Sequence, residues 1–513
     1  MSRVVVTASG GVRGRQPVDG VTAFRGIPYA APPVGALRLQ PPAPVPPWQG
    51  VRDALVPSPV APQDRDSGAG WTPASGDDYL TLDVFAPADF PRAAPVLVWI
   101  HGGAWTSGAG SLPAYHPGAW VRRGLVVVSV NYRLGFEGFG SVEGAVENRG
   151  LRDQVAALRW VAENVAAFGG DPSRVTIAGE SAGAGSVAAL LCAPSAAGLF
   201  SRAIAHSVPG ETYTVAHARW ITDRVARAAR VPATLAGFAG LPPRRVLDAS
   251  RDVLAEFRAE PETGLRSIAG TLWNPVVDGD VLPVVPFEGP GAGGDPAVDL
   301  LVNHNADEWT LFSRTGAGVR PRGTADLTRW ARAAGLDDAG FARFAATVPG
   351  ADPLALTDAL LTDAVFAEPS RRFARAHADA GGRTYRSLFT WRSPALGGRL
   401  GAAHALDLPF VFGNPAAFEP LLHAVPVLGA LRRVPGLAAR VPGVWPTPAA
   451  AALSRRMVDA WVAFATTGDP GWPALAPGLT PVHVWGSRDA LVEEGPDARR
   501  DVWRSVRFLP AGR

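Results

Sequence analysis

Two kinds of hydrophobic patterning alternate along this chain. Residues 96–100 (Val-Leu-Val-Trp-Ile) and 125–130 (Leu-Val-Val-Val-Ser-Val) are almost unbroken apolar runs, and Val175, Thr176 and Ile177 form a β-branched trio. Strands that read this way are covered on both faces, as inside a parallel sheet. Between them, residues 148–168 place Leu151, Val155, Leu158 and Val161 at helical spacing and stop at Gly169-Gly170-Asp171-Pro172. The order strand, helix, strand, helix predicts an α/β fold with a mostly parallel central sheet and helices on both faces. Further strands are expected at 4–7, 20–30, 79–85, 300–303, 384–391 and 482–485, and a helix over about 449–466. Helix-rich segments at about 211–290 and 324–380 read as additions over one end of the sheet, and the proline-rich residues 31–68 as irregular cover. No internal repeat is evident, and residues 1–513 are read as one large elaborated domain.

The strand trio ends at Gly179, and an alanine-rich helix follows from Ala182. Between them lies Gly179-Glu180-Ser181-Ala182-Gly183, a G-x-S-x-G turn so sharp that a side chain at either glycine would clash. Such a turn holds the Ser181 hydroxyl clear of the surface at a helix N-terminus. A serine hydroxyl needs a general base, and the base needs an orienting carboxylate. In this architecture the acid and then the histidine follow the serine, each on a loop after a later strand. Among nine histidines His404 fits, since it follows the strand at 384–391 and has small neighbours in Gly401-Ala402-Ala403-His404-Ala405-Leu406-Asp407. His206 and His217 come too early and His483 lies in or beside the last strand, while His377 reads as a surface helix residue and His423 as packing. For the acid, strand 300–303 opens into Asp307-Glu308, and spacing leaves both open. The turn His101-Gly102-Gly103-Ala104-Trp105 follows strand 96–100. The N–H groups of Gly102 and Gly103, with that of Ala182, are candidate donors to a developing oxyanion. Together these features point to acyl transfer.

Composition narrows this further. With 47% hydrophobic and 19% charged residues the chain can bury a large core and does not read as disordered. The formal net charge is +3, every basic residue other than histidine is arginine, and no basic tract forms, which argues against a nucleic-acid partner. The absence of lysine excludes Schiff-base chemistry and a serine–lysine dyad. No H-E-x-x-H occurs, so neither a metal nor an organic cofactor is expected. Cys192, the one cysteine, reads as a buried structural thiol. No run approaches the length of a membrane span and no signal-peptide stretch is seen, so cytoplasmic residence is the expectation. Monomer and weak dimer are both compatible with the chain.

These segments, taken together, resemble the type-B carboxylesterase family. The resemblance rests on Phe24-Arg25-Gly26-Ile27-Pro28-Tyr29-Ala30, His101-Gly102-Gly103-Ala104, Asn131-Tyr132-Arg133-Leu134-Gly135 and Asn148-Arg149-Gly150-Leu151-Arg152-Asp153-Gln154. It continues through Phe168-Gly169-Gly170-Asp171-Pro172, Gly179-Glu180-Ser181-Ala182-Gly183 and Pro275-Val276-Val277-Asp278-Gly279. It implies the α/β-hydrolase fold and a serine esterase acting on small uncharged esters with aryl or short-to-medium acyl parts. Carbamate or amide hydrolysis by the same residues is the alternative, and a catalytically silent binding protein the alternative of another class. The resemblance selects Glu308 as the acid and His404 as the base of Ser181, and puts Glu180 and Ser207 beside the histidine. Three aromatic residues next to these segments, Trp105, Trp309 and Phe410, are expected at the pocket. The chain departs from the family pattern at Tyr79, where many members carry a disulfide cysteine, at Val208-Pro209, and at Trp309, which replaces a glycine.

Overall fold

The computed structural model describes residues 3–15, 19–64, 69–259, 271–316, 318, 320–414 and 447–511. Ten strands build the main sheet. They are β1 Val21–Pro28, β2 Thr81–Pro87, β3 Ala94–Ile100, β4 Val126–Val130, β5 Gly170–Glu180, β6 Arg202–His206, β7 Asp299–Asn305, β8 Thr384–Phe389, β9 Pro481–Trp485 and β10 Ala490–Glu493. Their spatial order is β10-β9-β8-β7-β6-β5-β3-β4-β2-β1. The central neighbours, from β9 across to β4, are all parallel. Antiparallel pairs lie only at the two margins, between β4, β2 and β1 and between β9 and β10. The expected segment 4–7 belongs to a separate three-stranded sheet at the N-terminus.

The unbroken apolar runs are explained by cover on both sides. Along β3, Val96, Val98 and Ile100 point into one core, and Leu97 and Trp99 into the other. The first core is closed by α1 (Arg149–Asn164), whose Leu151, Val155, Leu158 and Val161 are all buried, and by α2 (Ala182–Cys192). The second is closed by α9 (Pro448–Thr467) through Leu453, Met457, Trp461 and Phe464. Each such side chain contributes about 1.5–3 kcal/mol relative to exposure, so a polar substitution in either layer is costly.

The additions differ in character. Residues 211–290 hold α3 (Val215–Ala229) and α4 (Pro243–Ala259), but the described part beyond residue 271 is mostly irregular, so this segment is less helical than its composition predicts. The second addition is helical throughout, with α5 (Thr324–Ala333), α6 (Asp338–Ala346), α7 (Pro353–Thr362) and α8 (Glu368–Asp379). A single π-turn, Asp363–Ala367, joins α7 to α8.

Two expectations are corrected. His377 is fully buried, with its Nδ1 2.7 Å from Thr384 Oγ1. The exposed pair Arg375–Asp379 marks the solvent face of α8, and His377, two residues from each, lies on the opposite side. Cys192 is half-buried at the end of α2, and burial still pushes its thiol up to about 12. His423 lies outside the described residues. Among the described residues no helix is long and apolar enough to cross a membrane.

Candidate active site

Ser181 sits between the end of β5 and the start of α2, with φ 55° and ψ −124°. That backbone region is rarely populated by a non-glycine residue, and strain of this kind concentrates where a side chain must be presented. The flanking glycines are required by close approach. A Cβ on Gly179 would lie 2.5 Å from the carbonyl of Gly183, and one on Gly183 only 2.1 Å from the Ile100 oxygen. The Ser181 N–H donates to the His206 carbonyl at 2.9 Å, which ties the turn to the end of β6.

The turn after β7 separates the two candidate acids. Asp307 Oδ2 accepts from the Ala402 N–H and from Arg392 Nη1, each at 2.9 Å, so it pins the loop leading to the histidine. Glu308 is fully buried. Its Oε1 accepts from Ser207 Oγ at 2.6 Å and from the Asn305 N–H at 2.7 Å, and its Oε2 lies 2.7 Å from His404 Nδ1. Glu308 thus faces the imidazole and Asp307 does not. With Nδ1 donating to Glu308, Nε2 is the nitrogen left for another partner.

That partner in this structure is Glu180, whose Oε1 is 3.1 Å from His404 Nε2. The contact is close, yet Oε1 makes no hydrogen bond of good geometry, so the pair is an ion contact with its proton poorly aimed. Burial raises the Glu180 carboxyl to about 8, opposed by His404. Burial also disfavours a charged His404, but the Glu180 carboxylate and the Glu308 hydrogen bond outweigh it and hold the imidazole at about 9. Among the described contacts no hydrogen bond joins Ser181 Oγ to His404, although both line one cavity of about 340 Å³.

A second buried histidine–carboxylate pair lies beneath. His206 Nδ1 is 2.6 Å from Asp407 Oδ2, and Trp461 Nε1 donates to His206 Nε2 at 2.9 Å. The indole donor requires a lone pair on Nε2, which fixes the ring proton at Nδ1. Asn303 and Asn305 donate to the same carboxylate at 3.0 and 3.1 Å. Burial opposes the Asp407 charge, but the His206 hydrogen bond and its partners hold it below the usual carboxylate range.

The cavity is lined by Gly103, Ala104, Trp105 and Ala182 and by Trp309, Phe312, Val365 and Phe366. Among the described residues the N–H groups of Gly102, Gly103, Ala104 and Ala182 donate to no backbone acceptor. Gly102 is buried, where a Cβ would lie 2.7 Å from the Glu180 carbonyl oxygen, and the neighbouring Gly103 and Ala104 line the cavity. Trp105 Nε1 donates to Ser186 Oγ at 3.0 Å, which anchors its ring to α2. Phe410 does not line the cavity. It packs in the second core against Phe389 and Trp391, at ring separations of 5.1 and 4.9 Å.

Sequence reasoning missed Phe312 and Phe366, whose rings lie 5.3 and 4.3 Å from that of His404. The π-turn puts Val365 and Phe366 on the cavity wall, a displacement that 3.6-residue periodicity does not reveal. Pro209, Glu211, Thr271 and Asn274 also line the cavity. His101 is structural. Burial lowers it to about 4, and its ring stacks on Tyr132 at 4.5 Å.

The model of the family described as "Carboxylesterase family" matches residues 1–342. The chain is 35% identical to the para-nitrobenzyl esterase of Bacillus subtilis (strain 168), covering 97% of each chain. It is 34% identical to the phenmedipham hydrolase of Pseudarthrobacter oxydans, covering 96% of each. Among solved structures it resembles the Geobacillus stearothermophilus carboxylesterase EST55 at pH 6.2, with a TM-score of 0.82, 34% identity, and 98% of this chain and 100% of that one covered.

Proposed function

This chain belongs to the carboxylesterase family and is a carboxylic-ester hydrolase of the α/β-hydrolase fold, and we propose that it works by acyl transfer through Ser181, His404 and Glu308. Ser181 Oγ attacks the ester carbonyl while His404 Nε2 takes its proton. Glu308 orients the imidazole through Nδ1 and stabilises the imidazolium that forms. The N–H groups of Gly103 and Ala182, with a third from the same glycine turn, receive the developing oxyanion. His404 then protonates the departing alcohol and activates the water that releases the acid.

The observation that carries this reading is the 2.7 Å contact of His404 Nδ1 with the buried Glu308, on a ring whose other nitrogen meets Glu180 in the cavity that Ser181 also lines. Nε2 must exchange Glu180 for Ser181 when substrate binds, and resting active sites are commonly looser than working ones. The aromatic wall of Trp105, Trp309, Phe312 and Phe366 supports small-molecule esters with uncharged aryl or short-to-medium alkyl parts against it. Carbamate hydrolysis is the second reading, favoured by the relative named phenmedipham hydrolase. It would show as steady turnover of aryl carbamates, where a pure esterase stalls as a carbamoylated serine.

The test is Ser181→Ala assayed on p-nitrophenyl butyrate, with thermal melting as the control for folding. Activity is expected to vanish with the melting midpoint preserved, and near-normal activity would overturn the assignment. A serine-directed phosphonate is expected to label Ser181 in the unaltered protein, an outcome a silent binding protein would not give.

A further inference from the structure

The π-turn between α7 and α8 is tied both to the cavity and to a helix that does not line it. Over Asp363–Ala367 the backbone widens, and the Glu368 N–H reaches back five residues to the Asp363 carbonyl. Such turns are rare and persist where their surroundings hold them. Towards the cavity the segment has three attachments. The Trp309 N–H donates to the Thr362 hydroxyl at 3.0 Å, the Gly210 N–H donates to the Val365 carbonyl at 3.0 Å, and the Phe366 ring lies 4.3 Å from that of His404. Trp309, Val365 and Phe366 all line the cavity.

The same turn is gripped by α10 (Ala498–Trp503), no residue of which is among the described lining of the cavity. Arg499 holds Asp363 with two hydrogen bonds, Nε to Oδ2 at 2.6 Å and Nη2 to Oδ1 at 2.9 Å. Its Nη2 also donates to the Ala359 carbonyl at 2.9 Å, and Trp503 Nε1 donates to Asp363 Oδ2 at 3.1 Å. Asp363 and Trp503 are both buried. A bidentate guanidinium fixes the direction of a carboxylate as well as its distance. Removing it strands a charge in the interior, and the turn relieves that by carrying the carboxylate toward water. Phe366 lies three residues further along the same turn, so the wall moves with it.

We propose that Asp363 is a positioning residue: clasped by Arg499 and Trp503, it fixes the Val365–Phe366 stretch of the cavity and so sets how tightly the larger arm of an ester is held. This rests on the esterase reading above and extends it to a clasp that touches no substrate.

The experiment reads kcat/KM ratios within each variant, so the amount of folded enzyme cancels. The acyl series is p-nitrophenyl hexanoate over p-nitrophenyl acetate, and the alcohol series is hexyl butyrate over ethyl butyrate. In Arg499→Met the ratio of larger to smaller ester is expected to fall at least about threefold in one series, through KM. Asp363→Asn, which removes the charge and keeps the shape, is expected to lower the same ratio. Arg456→Met breaks a comparable bidentate pair, with Asp489 at 2.7 and 2.8 Å, and is expected to leave both ratios unchanged. In a Phe366→Ala background Arg499→Met is expected to lose its effect, because the ring that transmits it is gone. Ratios unchanged or raised in both series by Arg499→Met and Asp363→Asn, or lowered equally by Arg456→Met, would overturn the role of Asp363 alone. So would an undiminished effect of Arg499→Met without Phe366. No hydrolysis of any of the four esters by the unaltered enzyme would overturn the esterase reading and this one with it.

Discussion

His404 Nε2 rests 3.1 Å from Glu180 Oε1, so the residue immediately before the proposed nucleophile, Ser181, occupies the nitrogen that this serine would need. Two carboxylates flank one imidazole, Glu308 at Nδ1 and Glu180 at Nε2. Each favours the protonated ring, and a proton held at this contact satisfies both neighbours. The base must lose that proton before it can accept one from Ser181.

The sign of the pH dependence follows. As the proposed general base His404 would act only when neutral, and its carboxylate neighbours hold it up at about 9. Activity is therefore lost as pH falls through a value above the ~6.5 of free imidazole. The kcat/KM for p-nitrophenyl butyrate is expected to keep climbing on the alkaline side of pH 7. Glu180→Gln removes the charge facing Nε2 and should move that limb about one unit or more toward acid. A wild-type profile already centred near ~6.5 would mean that Glu180 does not hold the proton.

Glu308→Gln should cost about 10³- to 10⁴-fold in kcat, because an amide there no longer fixes the imidazole tautomer or supports its charge. Asp307→Asn should cost less than about tenfold in kcat. It is expected to lower the melting midpoint, since it loosens the loop held by the Ala402 N–H and Arg392. Equal losses of kcat in the two variants would dissolve the distinction drawn between these neighbours.

Asp407→Ala leaves His206, Asn303 and Asn305 without their shared acceptor in a fully buried site. Breaking a buried pair in this way costs about 3–5 kcal/mol. Trp461→Phe removes one hydrogen bond and leaves the buried His206 Nε2 without its donor, which should cost about 1–3 kcal/mol. Urea unfolding midpoints measure both, and a cost for Asp407→Ala no larger than for Trp461→Phe would show that the network carries little load.

Cys192 keeps its proton at neutral pH because burial pushes the thiol up to about 12. Iodoacetamide at about pH 7.5 should therefore alkylate the native protein slowly and leave ester hydrolysis unchanged, whereas the urea-unfolded chain should react fully. Mass spectrometry of the intact protein reads both.

The parts of this fold legible in the residues are those where one interaction dominates. Unbroken runs such as 96–100 and 126–130 need cover on two faces, and the structure supplies it. The Gly179–Gly183 elbow is legible because no side chain fits where strand and helix meet. Spacing does not decide between Asp307 and Glu308, since adjacent residues of one turn point in different directions, and only the family resemblance chose Glu308. Phe366 is hidden by the irregular turn that carries it. Phe410 misleads for the opposite reason, because nearness along the chain to His404 does not bring its ring to the same face of the sheet. His377 shows the same limit on a helix, where two charged neighbours mark only one side.

The indole of Trp461, donated to His206 from a helix that begins at Pro448, has a consequence for biosynthesis. The proposed nucleophile and its proposed acid leave the ribosome long before this anchor does. A nascent chain that has emerged only to residue 446 has made Ser181, Glu308 and His404 but not the helix that closes the second core and braces His206. The order of translation thus places this brace after all three proposed catalytic residues, since the helix that carries it spans Pro448–Thr467.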